Sequence, residues 1–93
     1  MELHEVRYVL CVNATMNFTR AAQLCHVSQP ALSRAIQKLE SEMGGALFQR
    51  SNKGVRMTEL GYALETTFRQ LAYEVATAKS IADTHVAALQ GAV

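Results

Sequence analysis

The sequence has no tryptophan, one proline, two cysteines and five glycines among its 93 residues, and each shortage excludes something. Cys11 and Cys25 are too few for a disulfide scaffold, which predicts a reducing, cytoplasmic setting. With no CxxC and no HxxxH spacing they supply no metal site, and they read as small core residues. A single proline and few glycines leave no room for a flexible linker. The longest wholly apolar run, residues 8–12, falls far short of the ~20 residues that cross a bilayer and of the ~7 of a secretory signal. No membrane partner is expected. Neither a Ser/His/Asp set nor a pair of carboxylates emerges, so the expectation is no enzyme and no cofactor.

What is present is enough apolar material for a core and an uneven charge. Hydrophobic residues make up 49% and charged residues 18%, a balance that folds rather than staying disordered. Up to Thr58, the cations Arg7, Arg20, Arg34, Lys38, Arg50, Lys53 and Arg56 outnumber Glu2, Glu5, Glu40 and Glu42, a net +3. From Glu59 onward, Arg69 and Lys79 face Glu59, Glu65, Glu74 and Asp83, a net −2. An anionic partner for the first part fits this pattern, and so does an ordinary solvated surface.

Apolar spacing divides the chain into elements. Leu3, Val6, Val9, Leu10 and Asn13/Ala14 recur at helical spacing over about residues 2–14, with Glu2, Glu5 and Arg7 elsewhere on the wheel. Tyr8, Cys11 and Val12 make a second apolar side, so this helix is expected between two neighbours. Asn17 offers a cap for a short helix over 18–25, and His26-Val27-Ser28 forms a turn. A third helix, about 29–43, is capped by Ser28, whose hydroxyl must bond Ala31 because Pro30 has no N–H. Its buried stripe is Leu32, Ile36, Leu39 and Met43, and Gly44-Gly45 ends it. Strands over 47–50 and 55–57 flank a four-residue loop, Ser51-Asn52-Lys53-Gly54. Thr58 then caps a helix reaching Gln90, with Glu59 near its positive end.

That last helix, about 45 Å long at 1.5 Å per residue, exceeds what the small first part needs. Leu64, Phe68, Leu71, Val75 and Ala78 follow alternating steps of four and three, a heptad seam. The chain has no second long helix, so the expected partner is a second copy. The expected fold is mainly α: a winged helix-turn-helix of three helices and a two-stranded hairpin over 1–58, then a dimerisation linker helix over 59–90.

The second and third helices carry the chemistry. Ala21 and Ala22 allow a close crossing, Val27 and Leu32 fill the corner, and His26 tolerates positive φ better than most residues. Opposite its core stripe, the third helix presents Gln29, Pro30, Ser33, Arg34, Gln37, Lys38 and Ser41, with no carboxylate before Glu40. Arg34 suits guanine O6 and N7, Gln29 suits adenine N6 and N7, Ser33 suits either, and Pro30 suits a thymine methyl. Ser28 with the helix N-terminus, and Gln37, suit the DNA backbone. Arg50, Asn52, Lys53 and Arg56 lie on or beside the hairpin, where Arg56 also reads as merely solvated. Glu40 and Glu42 read as solvated or ion-paired. A rival reading makes the long helix a coiled-coil adaptor and the head a protein-docking module; the carboxylate-free face favours nucleic acid.

Ala21-Ala22, Val27-Ser28-Gln29-Pro30-Ala31-Leu32-Ser33-Arg34, Ile36, Leu39-Glu40, Leu47-Phe48, Arg50, Thr58-Glu59 and Gly61 together resemble the LysR-type transcriptional regulators. The resemblance implies sequence-specific binding of double-stranded DNA by a homodimer whose linker helices pair antiparallel, on an interrupted-dyad operator. It implies base contacts from Gln29, Pro30, Ser33 and Arg34, phosphate contacts from Thr19, Lys38 and Arg50, and a wing carrying Asn52 and Lys53 at the minor groove. It further implies an effector-binding domain for a small-molecule inducer, which is absent here, so an excised DNA-binding part is expected. Three features depart from the family pattern: Cys25 in place of Leu, Gly45-Ala46 in place of a larger apolar residue and Pro, and Lys53 in place of Arg.

Overall fold

Local rules set most element ends. The computed structural model describes residues 1–91, with α1 (Leu3–Thr15), α2 (Phe18–Leu24), α3 (Gln29–Met43), β1 (Phe48–Ser51), β2 (Gly54–Met57) and α4 (Glu59–Gly91) in that order. Asn17 Oδ1 accepts from the Arg20 amide at 2.9 Å and starts α2. Ser28 Oγ accepts from the Ala31 amide at 3.2 Å and starts α3, with Pro30 in the first turn. His26 takes φ 57° in the turn between these helices, and the Val27 amide closes that turn on the Ala22 carbonyl. Gly44, at φ 87°, ends α3, a conformation that costs a side-chain-bearing residue about 1 kcal/mol or more.

The hairpin is tighter than the sequence implies. Ser51 pairs with Gly54 and Phe48 with Met57 in an antiparallel ladder, so only Asn52 and Lys53 form the loop in place of the expected four residues. Gly54 takes φ 117°, and Ser51 Oγ accepts from the Lys53 amide at 3.1 Å; together these close the turn early. Leu47 lies just before β1 rather than in it. It is fully buried, and its carbonyl accepts from the Thr58 amide.

The core gathers Val6, Val9 and Val12 from α1, Phe18, Ala21 and Ala22 from α2, and Leu32, Ile36 and Leu39 from α3, closed by Leu47, Phe48 and Phe68. Two expectations for α1 are corrected. Leu3 is exposed and Leu10 only half-buried, whereas Glu5 is 1% exposed. Glu5 accepts from the Glu2 amide at 2.9 Å and faces the Lys38 ammonium at 3.7 Å; these partners offset the cost of burying a charge.

The first turns of α4 dock on this head. Thr58 Oγ1 accepts from the Gly61 amide and donates to the Ala46 carbonyl, at 3.0 and 2.6 Å. A Cβ on Gly61 would collide with the Leu47 carbonyl, so only glycine lets the helix start this close to the wing. Phe68 is 2% exposed, and Leu60, Leu64 and Leu71 are half-buried against the core. Beyond them α4 is open to solvent, and from Tyr73 to Gly91 every residue except Thr77 is exposed, although Val75, Ala76 and Lys79 still border α1. The molecule measures 60 × 25 × 19 Å.

Candidate nucleic-acid interface

Two properties of α3 define its outward face: the stripe Leu32, Ile36 and Leu39 is spent on the core, and Ser28 fixes where the helix begins. Pro30, Arg34, Gln37, Lys38 and Ser41 are exposed, and Gln29 and Ser33 are half-buried beside the wing. Lys38 pairs with Glu5 while remaining 66% exposed, so its ammonium is tethered and still open to an anion.

Arg50 of β1 joins the wing to α3. Its guanidinium lies 3.5 Å from the centroid of the Phe18 ring, and its Nη2 donates to Ser33 Oγ at 2.6 Å. Gln29 Nε2 donates to the same oxygen at 2.9 Å. Phe18 meets Phe48 edge-on at 5.8 Å, which ties the stacking platform back to β1. Thr19 of α2 lines a groove with Gln29, Arg50 and Ser51. Along the hairpin, Gln49, Arg50, Ser51, Lys53 and Arg56 line a second cleft, which shares Arg50 and Ser51 with the first. In that cleft three cations stand without a carboxylate.

Two contributors escaped the sequence reading. Phe18 reads from sequence only as an apolar residue, yet it is the surface on which Arg50 rests. Glu40, expected to be solvated or ion-paired, accepts from the Leu47 amide at 2.6 Å and the Phe48 amide at 3.4 Å. It thereby satisfies the first donors of the wing and fixes where β1 leaves α3. The signal was present in principle, since backbone donors entering a short strand after Gly44-Gly45 need an acceptor nearby.

The expected dimer seam needs one correction. Phe68 is buried inside its own chain against the head, because the first turns of α4 use the heptad stripe to dock on the core. Leu64 and Leu71 share that work, whereas Val75 and Ala78 stand exposed.

Cys11 and Cys25 are free, half-buried and within 2.9 Å sulfur to sulfur. Loss of solvent, together with the hydrogen bond to Cys11, pushes the Cys25 thiol from 9.0 up to about 11. No helix among the described residues is long and apolar enough to cross a membrane.

Comparison with known proteins agrees with this geometry. The profile of the bacterial regulatory helix-turn-helix proteins of the lysR family matches residues 3–62. A hydrogen peroxide-inducible genes activator of Dickeya chrysanthemi is 36% identical over 91 residues, 98% of this chain and 30% of its own length. The HTH-type transcriptional regulator BudR of Klebsiella aerogenes is 48% identical over 63 residues, 68% of this chain and 44% of its own length. The chain thus spans less than half the length of these relatives. Among solved structures, the BenM DNA-binding domain in complex with catB site 1 DNA superposes with a TM-score of 0.86 at 34% identity, covering 92% of this chain and 97% of that one. The CbnR DNA-binding domain–DNA complex gives 0.84 at 29% identity, covering 92% and 99%. With its helix-turn-helix, its two-stranded wing and a matched segment running through the start of α4, the chain belongs to the LysR family of bacterial regulatory helix-turn-helix proteins.

Proposed function

We propose that the chain binds double-stranded DNA in a sequence-specific manner, as the DNA-recognition part of a LysR-type transcription regulator acting as a cytoplasmic homodimer. It acts by binding and not by bond chemistry. The observation that carries this reading is the carboxylate-free exposed face of α3, joined through Arg50 and Ser33 to the cationic wing cleft, both open among the described residues. In this reading Gln29, Pro30, Ser33 and Arg34 meet base edges in the major groove. Thr19, Ser28, Gln37, Lys38 and Arg50 hold the sugar-phosphate backbone, and Asn52 and Lys53 reach the minor groove. The BenM and CbnR domains, matched over nearly their whole length, were each solved on DNA, which supports the same use of this fold here.

The head carries a net charge of only +3, so affinity depends on two heads engaging one duplex. The exposed side of α4, at Val75 and Ala78 with the open edges of Leu64 and Leu71, supplies the seam. A dimer neutralising six to ten phosphates gives a slope of log affinity against log salt of about −5 to −9. Fluorescence anisotropy on a labelled duplex from 50 to 300 mM salt (on the order of the range over which such slopes are read) measures it. An affinity indifferent to salt overturns the proposal.

A further inference from the structure

A serine hydroxyl has one proton and two lone pairs, and on a recognition helix it can pair with a donor or an acceptor on a base. In Ser33 that choice is already made within the protein. Gln29 Nε2 donates to Ser33 Oγ at 2.9 Å and Arg50 Nη2 donates to it at 2.6 Å, which occupies both lone pairs. Only the proton is left for DNA. We propose that Ser33 acts solely as a hydrogen-bond donor, selecting a base that presents an acceptor in the major groove and rejecting the N4 amino group of cytosine. The acceptors that fit are guanine N7 or O6, adenine N7 and thymine O4.

The direction of the Arg50 bond is fixed by chemistry, since a guanidinium has donors and no acceptor at any accessible pH. Its position is fixed by packing. The guanidinium rests on Phe18, Phe18 meets Phe48 edge-on, and Glu40 holds the Phe48 and Leu47 amides at the base of the strand. A cationic donor at 2.6 Å also draws electron density from Oγ and makes its O–H a stronger donor. The same network sets Gln29. With one Nε2 hydrogen given to Ser33, its other hydrogen and its Oε1 remain, the pair needed to read adenine N7 and N6. Arg50 is therefore a positioning residue for base readout, in addition to any phosphate it holds.

This inference rests on the DNA-binding reading, and the experiment separates the two. Sites are selected from a random duplex library with the unaltered chain and with Ser33→Ala, which identifies the base pair that Ser33 meets. Affinities are then measured for all four bases at that pair, and for 7-deazapurine there if a purine is selected. Wild type is expected to disfavour cytosine on the contacted strand by roughly three- to tenfold, the worth of one hydrogen bond. Ser33→Ala and Arg50→Met should both bring that ratio close to one, Arg50→Met because it returns a lone pair to Ser33. A lost phosphate contact lowers affinity for every base alike, so it leaves the ratio unchanged. Selection of cytosine at that pair, no pair altered by Ser33→Ala, or full discrimination in Arg50→Met overturns the inference while DNA binding stands. Failure of the wild-type chain to enrich any site overturns the DNA-binding reading and this inference with it. The wild-type measurements do not depend on any variant folding.

Discussion

Arg34 and Lys53 are both exposed cations, and the proposed function gives them different work. Arg34 shares a face with Gln29, Pro30 and Ser33 on a helix, where its planar fork can meet guanine. Lys53 sits in the two-residue loop of the wing, where an ammonium acts as a point charge. Arg34→Ala should relax preference at one position per half-site by about 1–3 kcal/mol, and Lys53→Ala should weaken all duplexes evenly. Competition binding against single-base variants of a selected site reads both; equal, sequence-blind losses contradict the assignment. The thiol pair gives a separate test at this scale. Because burial and the Cys11 hydrogen bond raise the Cys25 thiol from 9.0 to about 11, its protonated form contributes stability in full below pH 9. That contribution is lost as pH rises through about 11. Alkylation of Cys25 in the folded chain should be slow at pH 8 and accelerate with a midpoint near 11; a midpoint at or below 9.0 contradicts the burial argument.

Between elements, the wing is attached at two points that a substitution can separate. Glu40 holds the Leu47 and Phe48 amides from the α3 side, and Gly61 permits α4 to lie against the Leu47 carbonyl. Glu40→Ala leaves two backbone donors without their acceptor, at a cost of about 1.5–3 kcal/mol, with the larger loss of hydrogen-exchange protection at the Leu47 amide, whose bond to Glu40 is the shorter. Gly61→Ala forces the start of α4 away from the wing, at a cost of about 1–3 kcal/mol. Urea denaturation checks both, and wild-type midpoints in either variant contradict the attachment. These contacts also mark how far the sequence could be read. The Ser28 cap, the positive φ of His26 and the end of α3 at Gly44 follow from rules that act within a few residues, so they were legible. Glu5, Glu40 and Phe68 were misassigned because each is decided by a neighbour distant in the chain: Lys38, the entry to β1, and the head under α4. The hairpin came out two residues too loose because the freedom of Gly54 to take φ 117° lets the ladder extend to Ser51. On the recognition face the composition of α3 was legible, whereas its bonds to the wing through Arg50 were not.

The whole molecule is a small head with a long lever. Phe68 belongs to the head, so Phe68→Ala should unfold it by about 3–5 kcal/mol and does not test dimerisation. Val75 is 43% exposed and lines an apolar groove between α1 and α4 with Leu3, Val6, Ala72 and Ala76. Val75→Glu should give a folded monomer by sedimentation at concentrations where the wild-type chain is a dimer. A dimer that survives the change moves the seam elsewhere along α4. The proposed homodimer is expected to place its two α3 helices in major-groove segments separated by whole turns, about 34–36 Å or a multiple.

Methylation protection of guanine N7 on a selected duplex, with and without the chain, tests the entry of α3 into the major groove most directly. Two protected clusters a whole number of turns apart, with protection lost at one guanine of each cluster in Arg34→Ala, is the predicted result. Unchanged methylation at every guanine of a duplex that the chain demonstrably retards would contradict the account.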